Sequence, residues 1–326
     1  MIGWLPSSDD ENVASVRYRT LWPLIGLRQR GRPVSLFQNG AQRIYDALIF
    51  SKRAQPADLY LARKTRSRDA AVIFDLCDNH FYNPKELPVY AALQKRLLRM
   101  IEMADRVICS TEMLASVVRD QAGPTKDIVV VGDFVERIAI PPLRPRDKSN
   151  LPMLLWFGSH GSDNADSGML DLLKIVDVLA QQYARAPFEL VVTSNSREKF
   201  DAYIAPLAFP TRYEPWQTET FPQLLGRAAA VLLPLSDNPF VACKTHNRIS
   251  LALAAGTPVV GDIIQSYAEF GPYAYLGCWQ KGLEIVVERP KEASERAQAA
   301  RGYIDDVWSP ARVVDAWDAA LRPFLE

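Results

Sequence analysis

Short apolar runs recur along the chain, separated by polar stretches whose apolar residues fall at helical spacing. In the first half, residues 2–5, 34–37, 59–61, 71–76, 106–110 and 128–131 read as strands, and residues 17–30, 88–103 and 111–121 as helices. The rhythm restarts at Met153-Leu-Leu-Trp-Phe157. A long helix over 167–183, a strand over 188–193, a short helix over 200–205 and a strand over 211–213 follow. Residues 220–229, the strand 231–233, the helix 249–255 and the strand 257–260 complete the second set. Strands alternating with helices predict doubly wound parallel sheets.

Pro141-Pro-Leu-Arg-Pro145 and Asp147-Lys-Ser-Asn150 have no apolar period and read as a stiff linker. The expected organisation is therefore α/β, with one Rossmann-like domain over residues 1–145 and another over 151–307. Residues 290–307 form a charged, alanine-rich surface helix, Trp308-Ser309-Pro310 breaks it, and 311–325 form the last helix. Two such domains on a hinge are expected to face a cleft at the carboxyl ends of their strands, where open α/β sheets bind ligands.

Composition narrows the function classes. The chain has 326 residues, enough for two ordinary cores, with 48% hydrophobic and 23% charged residues. No apolar run approaches the roughly 20 residues of a membrane helix. The start, a strand followed by Asp9, Asp10 and Glu11, does not read as a signal peptide, so a cytoplasmic protein is expected. Cys77, Cys109, Cys243 and Cys278 are widely spaced and read as reduced core thiols. His80, His160 and His246 are equally scattered, so no metal site is expected. No nucleic-acid partner is expected either. Net charge is zero overall, but residues 1–150 hold 23 basic against 17 acidic groups (+6) and 151–326 hold 15 against 21 (−6). The basic half suits anionic lipid headgroups or a lipid-phosphate acceptor, or is a scatter of solvated charge. Residues 94–103 set Lys95, Arg96 and Arg99 beside Leu97, Leu98, Met100 and Ile101. That pattern fits a helix on the inner membrane, or a core-facing helix with a wet side.

Candidate chemistry is densest between Ala228 and Asp262. Lys244-Thr-His-Asn-Arg248 stands where a helix begins, and free backbone N–H groups with two cations suit a diphosphate. Asn247 lies on the same turn and suits a sugar hydroxyl; a solvated basic helix start is the plainer alternative. Gly158-Ser159-His160-Gly161 joins a strand to a helix, and glycine lets amides approach a phosphate, though a tight turn would look alike. Asp75-Leu-Cys-Asp78-Asn-His80 ends a strand. Asp78 there could deprotonate an acceptor hydroxyl, with His80 and Asp75 beside it, or Asp75 could merely cap a turn. Trp216 could pack on a base or close the core.

The segment 228–262 resembles the donor-sugar segment of GT-B glycosyltransferases of family 4, and Asp75–His80 resembles the Asp-x-x-Asp segment of some of its members. The Lys-x-x-Asn-Arg pattern at Lys244–Arg248 is similar to that of one subgroup. The resemblance implies two Rossmann-like domains in a GT-B arrangement, with residues 308–326 as a helix crossing back to the first. It implies a nucleotide-sugar donor, held by Gly158, Ser159, His160, Trp216, Lys244, Asn247 and Arg248, and a glycan or lipid-linked acceptor. Asp78, His80 and Asp75 become the acceptor-side catalytic candidates, and the loop before Arg17-Tyr18-Arg19 would lie under the donor phosphate. The expected activity is sugar transfer without cofactor or metal, retaining in stereochemistry, in bacterial surface polysaccharide synthesis. The family's usual glutamate pair falls on Cys243 and Leu251, and its arginine and lysine after the first glycine are replaced by Ser159 and His160. Those departures keep open a non-catalytic glycan- or partner-binding protein and a nucleotide-sugar epimerase.

Overall fold

The structure is a computed structural model that describes residues 1–40, 45–136 and 151–325. The expected linker, residues 141–150, lies outside the described residues. The chain forms two compact units. The first comprises Met1–Phe134, Ala242–Thr245 and Trp308–Glu326, and the second Val135–Val241 and His246–Val307.

The first unit is built on a six-stranded parallel sheet: β1 (Ile2–Leu5), β2 (Val34–Leu36), β3 (Ala47–Ser51), β4 (Ala71–Leu76), β5 (Arg106–Cys109) and β6 (Ile128–Val130), in the order β2-β1-β3-β4-β5-β6. Helices α1 (Trp22–Gln29), α2 (Pro56–Arg66), α3 (Pro88–Met103) and α4 (Glu112–Ala122) connect them. The run expected as a strand at 59–61 is the middle of α2. Pro56 opens that helix, Asp58 accepts from the Gln55 amide at 2.9 Å, and Leu59, Ala62 and Thr65 are buried at helical spacing. The strand belongs instead at Ala47–Ser51, whose five residues are all buried. Leu97, Met100 and Ile101 of α3 are buried with Phe74 and Val107 of the sheet, so this amphipathic helix is core-facing.

The second unit repeats the architecture: β7 (Met153–Phe157), β8 (Glu189–Ser194), β9 (Thr211–Pro215), β10 (Ala230–Leu233), β11 (Val259–Gly261) and β12 (Tyr275–Leu276), all parallel, in the order β12-β11-β10-β7-β8-β9. Its helices include α5 (Val176–Arg185), α6 (Arg197–Tyr203), α7 (Phe221–Arg227), α8 (Asn247–Ala254), α9 (Trp279–Glu288) and α10 (Pro290–Val307). The long helix expected over 167–183 is split into a 3-10 turn, Met169–Ile175, and α5. The edge strand β12 and helix α9 follow the last strand expected from sequence. Trp156, Phe188 and Leu232 anchor this unit's core.

The last helix, α11 (Pro310–Leu321), packs on the first unit. Trp317 is fully buried with its ring 4.9 Å from that of Trp4. Val314 fills the space a side chain at Gly26 would need, since a Cβ there would stand 2.3 Å from its Cγ2. Arg32 clamps Asp318 with two parallel bonds of 2.6 and 2.7 Å, a fork geometry of planar specificity.

Candidate functional site

In the second unit the site grows from the carboxyl end of β7. Gly158 follows it at φ +153, and the loop through Gly161 folds back on Gly168. A Cβ at Gly168 would lie 2.6 Å from the Gly161 backbone, so only glycine permits the approach. Asp171 pins the loop from within: it accepts from the Gly168 amide at 2.9 Å and from the Ser236 hydroxyl at 2.5 Å. Burial raises its carboxyl pKa against the pull of Ser236, Gly168, Lys174 and Arg248.

Arg248, the second residue of α8, reaches this loop. Its Nη1 lies 3.4 Å from the point a Gly158 Cβ would occupy. Arg248 donates a hydrogen bond to the phenol oxygen of Tyr267, which is buried and has its pKa raised mainly by that burial. A guanidinium held at a helix N-terminus opposes the helix dipole, so the arrangement favours an anion beside it. Asn247 opens the same helix, half-buried. Lys199 of α6 also reaches the loop, with Nζ 3.4 Å from the His160 carbonyl. The His160 amide donates to Asn195 Oδ1 at 2.9 Å, and its Nδ1 lies 3.1 Å from the same oxygen. Ser159 is exposed. Trp216 is half-buried, stacked on Phe157 with ring centroids 6.5 Å apart and packed on Phe221 at 4.4 Å. It therefore packs on the core and remains partly exposed.

Lys244, expected to share a diphosphate with Arg248, is held by a carboxylate. Lys244 belongs to the first unit, where its Nζ meets Asp78 Oδ1 at 2.7 Å. Lys52 takes the other oxygen of Asp78 at 2.5 Å. Lys52 follows β3 in a left-handed backbone conformation, φ 55, with its amide on the Asp75 carbonyl at 2.8 Å. The segment carrying Lys244 is fixed because the Cys243 carbonyl accepts from the Thr111 hydroxyl at 3.1 Å.

This setting ties the Asp78 carboxylate to two ammonium groups. Burial alone would raise its carboxyl pKa, but the Lys244 and Lys52 ammonium groups outweigh burial and hold it far below the carboxylate range. His80 is pushed down to about 4, by burial first and then by the same two lysines against the pull of Asp78, so its imidazole is neutral at pH 7. Asp75 is corrected more sharply: it is fully buried, with Oδ1 2.5 Å from Arg19 Nη2. Arg19 also bonds the Val131 carbonyl at 2.5 Å and Asp133 at 3.0 Å. Asp75 and Arg19 are thus a core ion pair, away from solvent. Of the four cysteines, Cys109 and Cys243 are buried, Cys77 is intermediate and Cys278 is exposed.

Lys52, Lys199, Asn195 and Tyr267 went unrecognised in the sequence. Recognising β3 would have placed Lys52 at a strand's carboxyl end, as the strand expected over 188–193 places Asn195; nothing local marks Lys199 or Tyr267.

No protein-family model matches the chain, and no curated protein sequence does. Solved structures do. HepE of Anabaena, in complex with UDP, superposes with TM-score 0.68 at 16% identity, over 99% of each chain. Its complex with UDP-glucose gives 0.67 at 16% identity, again over 99% of each. A glycosyltransferase from Rickettsia africae gives 0.68 at 13% identity, over 100% of this chain and 98% of that one. With two parallel six-stranded sheets, these likenesses assign the chain the GT-B fold, built of two Rossmann-like domains.

Proposed function

We propose that the chain is a glycosyltransferase that moves a sugar from a nucleotide-sugar donor to a glycan or lipid-linked acceptor. The observation that carries this reading is the Arg248 guanidinium held against Gly158 at the start of α8. Transfer leaves a nucleoside diphosphate whose new negative charge must be stabilised as the glycosidic bond breaks. Arg248 offers a planar fork for it, Lys199 a point charge at the loop, and the α8 amides their free N–H groups. Trp216, partly exposed, offers its ring to the base and Asn247 an amide to the sugar. This set supplies the neutralisation from protein groups, and the reaction we assign needs no metal.

On the acceptor side, Asp78 is ionised and His80 neutral at pH 7, so both are unprotonated and are our candidates to accept a hydroxyl proton. We assign the reaction retaining stereochemistry and a place in bacterial surface polysaccharide synthesis, at the cytoplasmic face of the membrane; the exposed Lys95 and Arg99 of α3 suit its anionic headgroups. Since HepE is solved with UDP and UDP-glucose, UDP-glucose is the first donor to try. Titration calorimetry and turnover with a panel of UDP and GDP sugars test the reading. Donor hydrolysis or transfer supports it. Binding without turnover would identify a non-catalytic binder, and inversion of a sugar centre an epimerase.

A further inference from the structure

The end of β8 braces the glycine loop of the second unit residue by residue. The Gly158 amide donates to the Thr193 carbonyl at 3.1 Å, and the Ser194 hydroxyl donates to the Gly158 carbonyl at 2.8 Å. Asn195, the next residue, holds His160 twice: its Oδ1 lies 2.9 Å from the backbone nitrogen and 3.1 Å from Nδ1. A backbone N–H can only donate, so the Asn195 side-chain atom that faces it is the carbonyl oxygen. That oxygen cannot donate in turn, so the ring nitrogen beside it carries a hydrogen. In the neutral ring the hydrogen then sits on Nδ1 and the lone pair on Nε2. Turning the ring over would set a carbon against Oδ1 and forfeit the bond. Among the described residues Nε2 has no hydrogen-bond partner, and His160 is half-buried between the two glycines of the loop. The Trp216 amide reaches the Ser194 carbonyl at 3.2 Å, so the same strand end also carries the aromatic ring of the site.

We propose that Asn195 positions His160 to read a hydroxyl: with Nδ1–H held on Asn195, Nε2 accepts a hydrogen bond from a hydroxyl of the bound nucleotide sugar. The identity of the ligand rests on the glycosyltransferase reading; the tautomer does not. A diphosphate oxygen that has lost its proton gains nothing from a lone pair, and the cations Arg248 and Lys199 at this loop serve it instead. A hydroxyl of the ribose or of the transferred sugar can donate to Nε2. A site built to hydrogen-bond a substrate hydroxyl disfavours an analogue that lacks it, because its own polar group is then left unpaired. His160 thus discriminates among donors and does not hold charge.

Nitrogen NMR of the full chain, with only three histidines to assign, reads the tautomer. The neutral His160 ring should carry its hydrogen on Nδ1, and Asn195→Ala should release that preference. An Nε2–H ring in the parent overturns the proposal. So does a doubly protonated ring in the UDP-glucose complex, which would make His160 a phosphate ligand. Calorimetry with UDP-glucose then splits the two nitrogens. His160→Asn keeps a donor for Asn195 and loses Nε2, whereas His160→Gln keeps an acceptor where Nε2 stood. His160→Asn should weaken binding about fivefold, the worth of one hydrogen bond, and His160→Gln should recover most of that loss. The reverse order would mean that the ring only fastens the loop, and the proposal fails. Asn195→Ala should cost a similar factor in the parent and almost nothing in a His160→Ala background, where no ring is left to position. Equal losses in both backgrounds contradict the positioning role, and circular dichroism checks that each variant is folded. UDP, which lacks the transferred sugar, locates the hydroxyl. A loss confined to UDP-glucose places it on that sugar, and a loss shared by UDP places it on the ribose. Unaltered binding of both ligands by His160→Asn sinks the hydroxyl contact alone. A parent that binds neither ligand sinks the donor reading, and the contact with it.

Discussion

Arg19 and Asp75 meet with neither side chain exposed, Nη2 to Oδ1 at 2.5 Å and Nε to the same oxygen at 3.1 Å. The pair ties the helical stretch before α1 to β4, and Asp133 adds a second carboxylate to the same guanidinium. Taking two ions out of water is costly, and their attraction repays it only while both are present. Asp75→Asn removes one and leaves Arg19 with a weaker partner; Asp75→Ala leaves a hole as well. We expect Asp75→Ala to destabilise the protein by about 3–5 kcal/mol in urea unfolding. UDP affinity measured below the transition should stay unchanged. A loss of turnover without a loss of stability would restore Asp75 to a catalytic role.

The donor assignment separates two cations that stand four apart in sequence. Arg248 lies on the glycine loop of the second unit, whereas Lys244 is engaged by Asp78 in the first. Arg248→Ala should therefore weaken UDP binding by about 1–3 kcal/mol, the worth of a charged hydrogen bond. Lys244→Ala should weaken it less, because that ammonium is already engaged by Asp78. Tyr267→Phe removes only the hydroxyl that steadies Arg248 and should give a smaller loss in the same direction. Equal losses in Arg248→Ala and Lys244→Ala would reunite the two lysine and arginine groups in one clamp.

Much of the fold was legible because its signals are local. Continuous apolar runs marked β1, β4 and β7, and the expected bounds of α3 and α10 agree with those observed. The exchange of 59–61 for Ala47–Ser51 has a physical cause. Leu59 and Leu61 are hydrophobic enough for a strand, but Pro56 and the Gln55–Asp58 bond start a helix there. The site was legible as residue types and not as partnerships. Asp78 and Lys244 are 166 positions apart, so no spacing rule could foretell that one neutralises the other. Tyr267 behind Arg248 and Lys199 beside His160 are likewise products of tertiary packing.

The final helix holds the first unit together through one aromatic anchor. Trp317 is fully buried against Trp4, and the Arg19 guanidinium lies 4.9 Å from its ring centroid. Trp317→Ala loses the transfer energy of a large ring and leaves a cavity, at a cost of about 3–5 kcal/mol. Asp318→Asn at the half-exposed Arg32 fork should cost far less, near the value of a surface pair, about 0–1 kcal/mol. Thermal unfolding of both variants checks the ranking. A smaller shift for Trp317→Ala than for Asp318→Asn would contradict the packing described.

His80 provides a pH test with a defined sign. Its imidazole has a folded pKa near 4 against an ordinary value of 6.5, because burial and the ammonium groups of Lys52 and Lys244 disfavour its cation more than Asp78 favours it. Below pH 6.5 the unfolded chain binds a proton at this residue that the folded chain does not bind until near pH 4. By linkage, His80 costs nothing above about pH 7 and destabilises the fold progressively as pH falls from 6.5 towards 4, levelling off below. His80→Gln cannot take up that proton, so the difference in stability between variant and parent should move in the variant's favour across this window. Urea unfolding at a series of pH values, with the chain otherwise identical, measures it. A parent whose stability relative to His80→Gln is flat from pH 7 to pH 4 would mean that the imidazole titrates alike in both states. In that case its neutral form at pH 7 would owe nothing to the two lysines, and His80 would lose its claim to a tuned place beside Asp78.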